Sequence, residues 1–179
     1  MAPITAFDVS VDLHLRGLRM LRTLLIKGSS HATAAILPLA KFPNDTASLA
    51  FHAQSCTNLA TSALSLLTRG EQEAPVWTTE GATLEQLIAN VDKAIVQIEG
   101  EVAKMKPVDL EGVEERELQV TYGNGQTAAW GGRGYILGYS LPNFMFHLCM
   151  AYSVLRSQGV DAGKMDFLMP FMVGVAPGF

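Results

Sequence analysis

A chain of 179 residues that is 49% apolar and only 17% charged can build one domain around a sizeable core, which excludes the disordered and low-complexity classes. Its formal net charge of −4 speaks against a nucleic-acid partner. Two cysteines, Cys56 and Cys149, without CxxC spacing fit a reducing compartment better than a disulfide framework.

The start, Met1-Ala-Pro-Ile-Thr5, has neither the basic run nor the apolar core of a secretion signal, so a cytoplasmic location is expected. The first helix is predicted from about Thr5 to Lys27. Phe7, Val11, His14, Leu18, Leu21 and Leu25 recur at spacings of three and four, the mark of one buried face, and Gly28-Ser-Ser stops it. Arg16, Arg19 and Arg22 read as a solvated row. After a loop with Pro38 and Pro43, Asn44-Asp45-Thr46 offers N-cap chemistry to a second helix ending near Thr68. Its stripe is Leu49, His52, Cys56, Leu59, Ala63 and Leu66. The linker over 70–82 is long enough, fully extended, to run the length of a bundle. That permits the third helix to lie parallel to the second.

Thr83-Leu-Glu-Gln86 is a capping box for this third helix, whose apolar face is Leu84, Leu87, Ile88, Val91, Ile95, Ile98 and Val102. Leu118, Val120 and Tyr122 then alternate with polar residues, and Gly123-Asn-Gly125 turns into Gln126–Trp130, a small β-hairpin. Gly131-Gly-Arg-Gly134 lacks the strand–loop–helix context of a phosphate loop and reads as a flexible lead-in to the fourth helix. That helix covers about Gly134 to Gln158, with a kink expected at Pro142. Tyr139, Asn143, His147, Met150 and Val154 share one of its faces. Tyr135–Leu155 is long enough to span a bilayer, but Ser140, Pro142, Asn143, His147 and Ser153 would be costly against lipid, so no membrane partner is expected. The apolar tail 165–179, with Pro170 and Pro177, is expected to pack across the bundle or a partner with little regular structure. The whole reads as a single all-α domain over 1–179: a four-helix bundle with a hairpin between helices three and four.

Thr46–Thr68 and Gly134–Leu155 carry no formal charge, and each holds one histidine. A surface helix shows water a charged face, so both are predicted to be covered on most sides, with His52 and His147 inside. With His14, three of the four histidines fall on apolar stripes. A single buried histidine is usually just hydrogen-bonded, but three together point to a polar pocket for a small-molecule substrate. At about 1.5 Å rise per residue, His52 and His147 come level if the fourth helix is parallel to the first, whereas His14 and His147 do if it is antiparallel. Neither arrangement brings all three into metal-bonding range. Asn143 and His147, at i and i+4, suit binding of a carbonyl beside an acid/base imidazole, while asparagine is a poor zinc ligand. Cys56 sits one turn from His52, where an imidazole can activate a thiolate; an inert buried thiol is the competing reading. The candidate catalytic residues are therefore His147, Asn143 and His52. His14, Tyr139, Cys56 and Met150 are the candidate substrate-binding wall, with no metal and no cofactor in the preferred reading.

Leu141-Pro-Asn-Phe-Met-Phe-His147 is followed by Ala151-Tyr152-Ser-Val-Leu-Arg156 and Gly159-Val-Asp-Ala-Gly-Lys164-Met-Asp166. With Arg16-Gly-Leu18 and Glu114-Glu-Arg-Glu117, this combination resembles a family of unknown function found in fungi and bacteria, a branch of the DinB/YfiT-like four-helix bundles. The resemblance covers nearly the whole chain, and Pro-Asn-Phe-x-Phe-His is its most specific part. It implies a long crossover between helices two and three, a homodimer formed here through helices two and four, and a setting in fungal specialised metabolism. Members of that superfamily include metal-dependent thiol transferases and a maleylpyruvate isomerase. They bind a divalent metal such as zinc or nickel through one histidine on helix two and an HxxxH pair on helix four. His52 falls near the first position and Asn143 and His147 on the pair, with asparagine in place of one histidine. Three readings follow: a cofactor-independent isomerase, cyclase or lyase; a divalent-metal-dependent transferase or isomerase; and a non-catalytic small-molecule-binding or scaffold dimer.

Overall fold

Apolar residues repeating every three to four positions commit four segments to helix. In the computed structural model, which describes residues 3–43, 47–70, 79, 81–122 and 124–174, these are α1 (Leu13–Ser29), α2 (Leu49–Arg69), α3 (Leu84–Val102) and α5 (Leu141–Ser157). A π-helical turn, Asp8–Asp12, precedes α1. The one-turn α4 (Gly132–Gly134) and a π segment, Tyr135–Ser140, lead into α5. An antiparallel hairpin, β1 (Glu117–Thr121) and β2 (Thr127–Gly131), separates α3 from that rod, with Glu117 opposite Gly131. The fold is the helical bundle with a small hairpin that the sequence predicts.

Local chemistry sets the helix starts. The Ser48 side chain accepts from the Phe51 amide to cap α2, while Asn44-Asp45-Thr46 lies outside the described residues. Thr83 and Gln86 form the predicted capping box of α3, each side chain bonded to the other's amide.

Cross-helix contacts give the directions. Arg19 pairs with Glu99 and Arg22 with Asp92, so α1 and α3 are antiparallel. His52 meets His147 and Cys56 meets the Phe144 carbonyl, so α2 and α5 are antiparallel. His14 meets Ser140, and Gly28 faces Leu155, so α1 and α5 run the same way. α2 also packs on α3. It follows that α2 and α3 are parallel, as the long linker permits; most of that linker (71–78 and 80) lies outside the described residues.

Leu18, Leu21, Leu24 and Leu25 of α1 meet Leu66, Leu67, Leu87, Phe144 and Leu148 in one core. At Gly17 α1 and α5 pack too closely for a side chain: a Cβ there would run into the Phe144 ring. Gly132 answers to a tighter constraint. Its missing Cβ would lie 1.9 Å from the Val113 carbonyl oxygen, and its amide donates to the Arg116 carbonyl at 2.8 Å. Within the glycine-rich lead-in, Gly132 is therefore a packing requirement, whereas Gly131 and Gly134 have no such close neighbour.

The two uncharged helices differ in their reason for lacking charge. Of 21 residues in α2, 15 are buried within the chain's own bundle, but only 5 of 17 are in α5. The tail also departs from expectation, since α6 (Lys164–Met172) is helical despite Pro170. Tertiary contacts hold it. Phe167 packs edge-on against Tyr152, Asp166 pairs with Lys27 at 2.7 Å, and Arg16 donates to the carbonyls of Pro170, Phe171 and Val173. Arg16 is accordingly a clamp for the α6 C-terminus rather than part of a solvated row; residues 175–179 lie outside the description. Among the described residues, no helix is long and apolar enough to cross a membrane.

Candidate functional site

Pro142 falls in the first turn of α5, directly after helical residues, so its missing amide lies inside a continuous rod, and the irregularity that goes with it is the π segment before it. This has a geometric consequence. In an α-helix each four-residue step rotates a side chain by about 40°, so Tyr135, Tyr139, Asn143 and His147 would drift apart around the rod. A π turn takes up more residues and offsets that drift. All four line one open cleft of about 370 Å³. Its second wall is Ser55, Asn58, Leu59 and Ser62 of α2, and Thr121 and Tyr122 of the hairpin close one end.

At the rim, His147 Nδ1 lies 3.0 Å from His52 Nδ1. His147 is half-exposed, whereas His52 is 1% exposed behind it. A hydrogen bond between two imidazole nitrogens needs one of them to carry the proton, so the contact ties the two tautomers together. Phe51 and Phe146 flank the pair edge-on, with ring centroids 5.3–6.2 Å from the imidazoles.

Tyr139 is the hub of an aromatic group. Tyr122, Trp130 and Tyr135 have centroids 5.5–5.9 Å from it, and Trp130 Nε1 donates to the Tyr122 hydroxyl at 2.7 Å. Burial, then the neighbouring Tyr122 phenol, pushes the Tyr139 pKa up, and a hydrogen bond from the Asn143 side chain pulls it back. Burial pushes Tyr135 up to about 12. These phenols stay protonated at neutral pH and act as hydrogen-bond donors.

His147, Asn143 and Tyr139 thus meet at the cleft, with His52 bonded to the first. The other candidates lie elsewhere. His14 is 1% exposed; its Nδ1–H donates to the Ser10 carbonyl and its Nε2 accepts from the Ser140 hydroxyl at 3.1 Å. Its ring leans on Phe144, with centroids 4.5 Å apart. It is a satisfied core histidine outside the cleft. Cys56 is fully buried, and burial pushes its thiol well above the usual range, so a nearby imidazole does not make it a nucleophile. Met150, half-buried on α5, does not line the cleft either. The sequence reading missed Ser55, Asn58 and Ser62, although their spacing of three and four beside the His52 stripe marks a polar face.

The donor set for a divalent metal is incomplete. Two imidazole nitrogens 3.0 Å apart match the bite of a shared ion, but a catalytic site carries three protein ligands. The third place holds the Asn143 amide, and among the described residues no three His, Cys, Asp or Glu side chains gather around one point. The residues do not fit the three-histidine centre, and no step is derived through a metal.

A crystal structure of a DinB family member protein from Shewanella denitrificans superposes with a TM-score of 0.76, covering 90% of both chains at 23% identity. That likeness shows the fold. No curated protein matches the sequence. Residues 6–168 match the family described as "Domain of unknown function (DUF1993)", and the chain belongs to that family.

Proposed function

We propose that the protein is a small-molecule enzyme that moves protons by acid/base catalysis without a cofactor, in an isomerase, cyclase or lyase type of reaction. The observation that carries this reading is the 3.0 Å contact between His52 and His147 at the wall of the cleft. When His147 donates its Nδ1–H to His52 Nδ1, its own basic nitrogen is Nε2, the atom that takes a proton from substrate. His52 then plays the part of the orienting third group, holding the tautomer and stabilising the imidazolium that forms. The protonated pair is in turn the acid that returns the proton to a different substrate atom. Tyr139 and Asn143 supply donors for an oxygen that gains negative charge in between.

Incubation with a small-molecule library in heavy water reads this chemistry without knowledge of the substrate, because a proton that exchanges with solvent while held on His147 is returned to carbon as deuterium. The wild-type protein is expected to label at least one compound, and His147→Gln to label it at least a hundredfold more slowly, the lower end of what general acid–base catalysis contributes. Equal labelling by the variant, or none above a protein-free control, defeats the reading.

The working form in this reading is a homodimer joined through α5 and the Phe51 end of α2. Most of α2 is covered by its own chain, whereas α5 leaves Pro142, Phe146 and Cys149 exposed on an uncharged face, beside the exposed Phe51 of α2. Phe146 is 55% and Phe51 48% exposed, an apolar patch that a second copy would bury. Phe146→Glu is expected to convert a dimer to a monomer in sedimentation velocity, while a monomeric wild-type chain at tens of micromolar rules the arrangement out.

A further inference from the structure

Resting on the acid/base reading, we infer that the cleft takes a neutral, planar, enolisable carbonyl compound bearing hydroxyl groups, and discriminates against anions. None of the ten lining residues carries a formal charge, apart from any proton held by His147. The walls offer three phenols, two asparagines, two serines and a threonine, which satisfy hydroxyl and carbonyl groups but give no cation to a carboxylate or phosphate. Tyr122, Tyr135 and Tyr139 supply ring surface for an unsaturated ring. The volume, about 370 Å³, lies at the small end of ligand pockets.

Charge balance selects the same class. Removal of a proton from the carbon beside a carbonyl breaks the C–H bond, forms N–H at His147 Nε2 and leaves the electron pair in an enolate. From a neutral substrate this gives one enolate and one imidazolium, a neutral total in a cleft without other charges. An anionic substrate would put two negative charges against one positive. The enolate oxygen accepts from Tyr139 or Asn143, and return of the proton to the original or a conjugated carbon completes an exchange or an isomerisation with every atom accounted for.

The test compares para-hydroxyacetophenone with para-carboxyacetophenone. Binding is read by Trp130 fluorescence in a Trp77→Phe background, since the Trp130 ring lies 5.9 Å from Tyr139. Turnover is read by NMR as deuterium exchange of the acetyl protons. The neutral ketone is expected to bind at least tenfold more tightly than the carboxylate, and Asn58→Lys to narrow or reverse that preference by adding a cation to the wall. Equal or tighter binding of the carboxylate, binding of neither ketone, or an unchanged preference in Asn58→Lys overturns the inference. The two readings fail differently. Neutral preference without exchange in wild-type protein defeats acid/base catalysis and leaves the ligand class standing, whereas equal exchange of both ketones defeats the class and leaves the catalysis.

Discussion

Phe144→Ala is expected to lower the free energy of unfolding by about 4 kcal/mol, near the middle of the range for a buried phenylalanine. The ring is fully buried against α1, with His14 tilted against it and Gly17, one turn on, facing its edge. The cost depends on how far the surroundings can collapse into the space left behind. Here they cannot collapse far, because the facing residue is a glycine with no side chain to swing across, and the imidazole is pinned at both nitrogens. The loss therefore includes transfer of the ring and most of the cavity. Urea unfolding at neutral pH measures it directly. Phe146→Ala, two positions on but 55% exposed, serves as the control in protein dilute enough to be monomeric, where it is expected to change stability by no more than about 0.5 kcal/mol. A loss under about 1 kcal/mol for Phe144→Ala would mean that Gly17 does not set the distance between α1 and α5.

The contrast between Phe144 and Phe146 also shows where sequence reading reaches its limit. Periodicity placed His14, His52 and His147 on buried stripes; His14 and His52 are buried, whereas His147 is half-exposed at the cleft. What it does not carry is the identity of a partner more than one turn away. His14 finds a serine hydroxyl 126 positions along the chain, and His52 finds another imidazole 95 positions along, yet the local signal around each is the same apolar stripe. Rise per residue left two alignments open because height along a rod says nothing about the rod's direction; the structure has the fourth helix parallel to the first, which levels His52 with His147. Absence of charge was similarly ambiguous. In α2 it reflects coverage by the chain itself, in α5 an exposed apolar face, and composition is identical for both causes. The helical tail was illegible for a third reason: besides the local cap from Asp166 to the Gly163 amide, α6 is held by Arg16 and Lys27, residues of the first helix far away in sequence. Pro142, by contrast, was a legible mark of irregularity, though not of the π turn that brings Tyr135, Tyr139, Asn143 and His147 onto one wall.

Acid is expected to weaken the fold by on the order of 3 kcal/mol through His14 alone as pH falls from about 6.5 to about 4. Burial is the largest cause, lowering the folded-state pKa from 6.5 to about 4 against the opposing pull of its hydrogen bonds. In that window the unfolded chain binds the proton and the native chain does not, so stability rises with pH; the contribution is fully present above about 6.5 and lost on the way down. The surroundings give the same sign. Protonation leaves a charge buried beside Phe144, with no carboxylate among the described residues in contact with it. Asp8 and Asp166 are held below their usual 3.8 by hydrogen bonds and lose their contribution only at more acid pH. Urea midpoints of the wild-type protein and His14→Gln, measured from about pH 7.5 to about pH 4, separate these effects. The glutamine variant is expected to start less stable and to show a much shallower fall. Parallel curves would place the acid sensitivity elsewhere. His14 is set apart from His52 and His147 by its surroundings: it is locked in the core between Ser10, Ser140 and Phe144, whereas His147 lines an open cleft with the buried His52 bonded behind it.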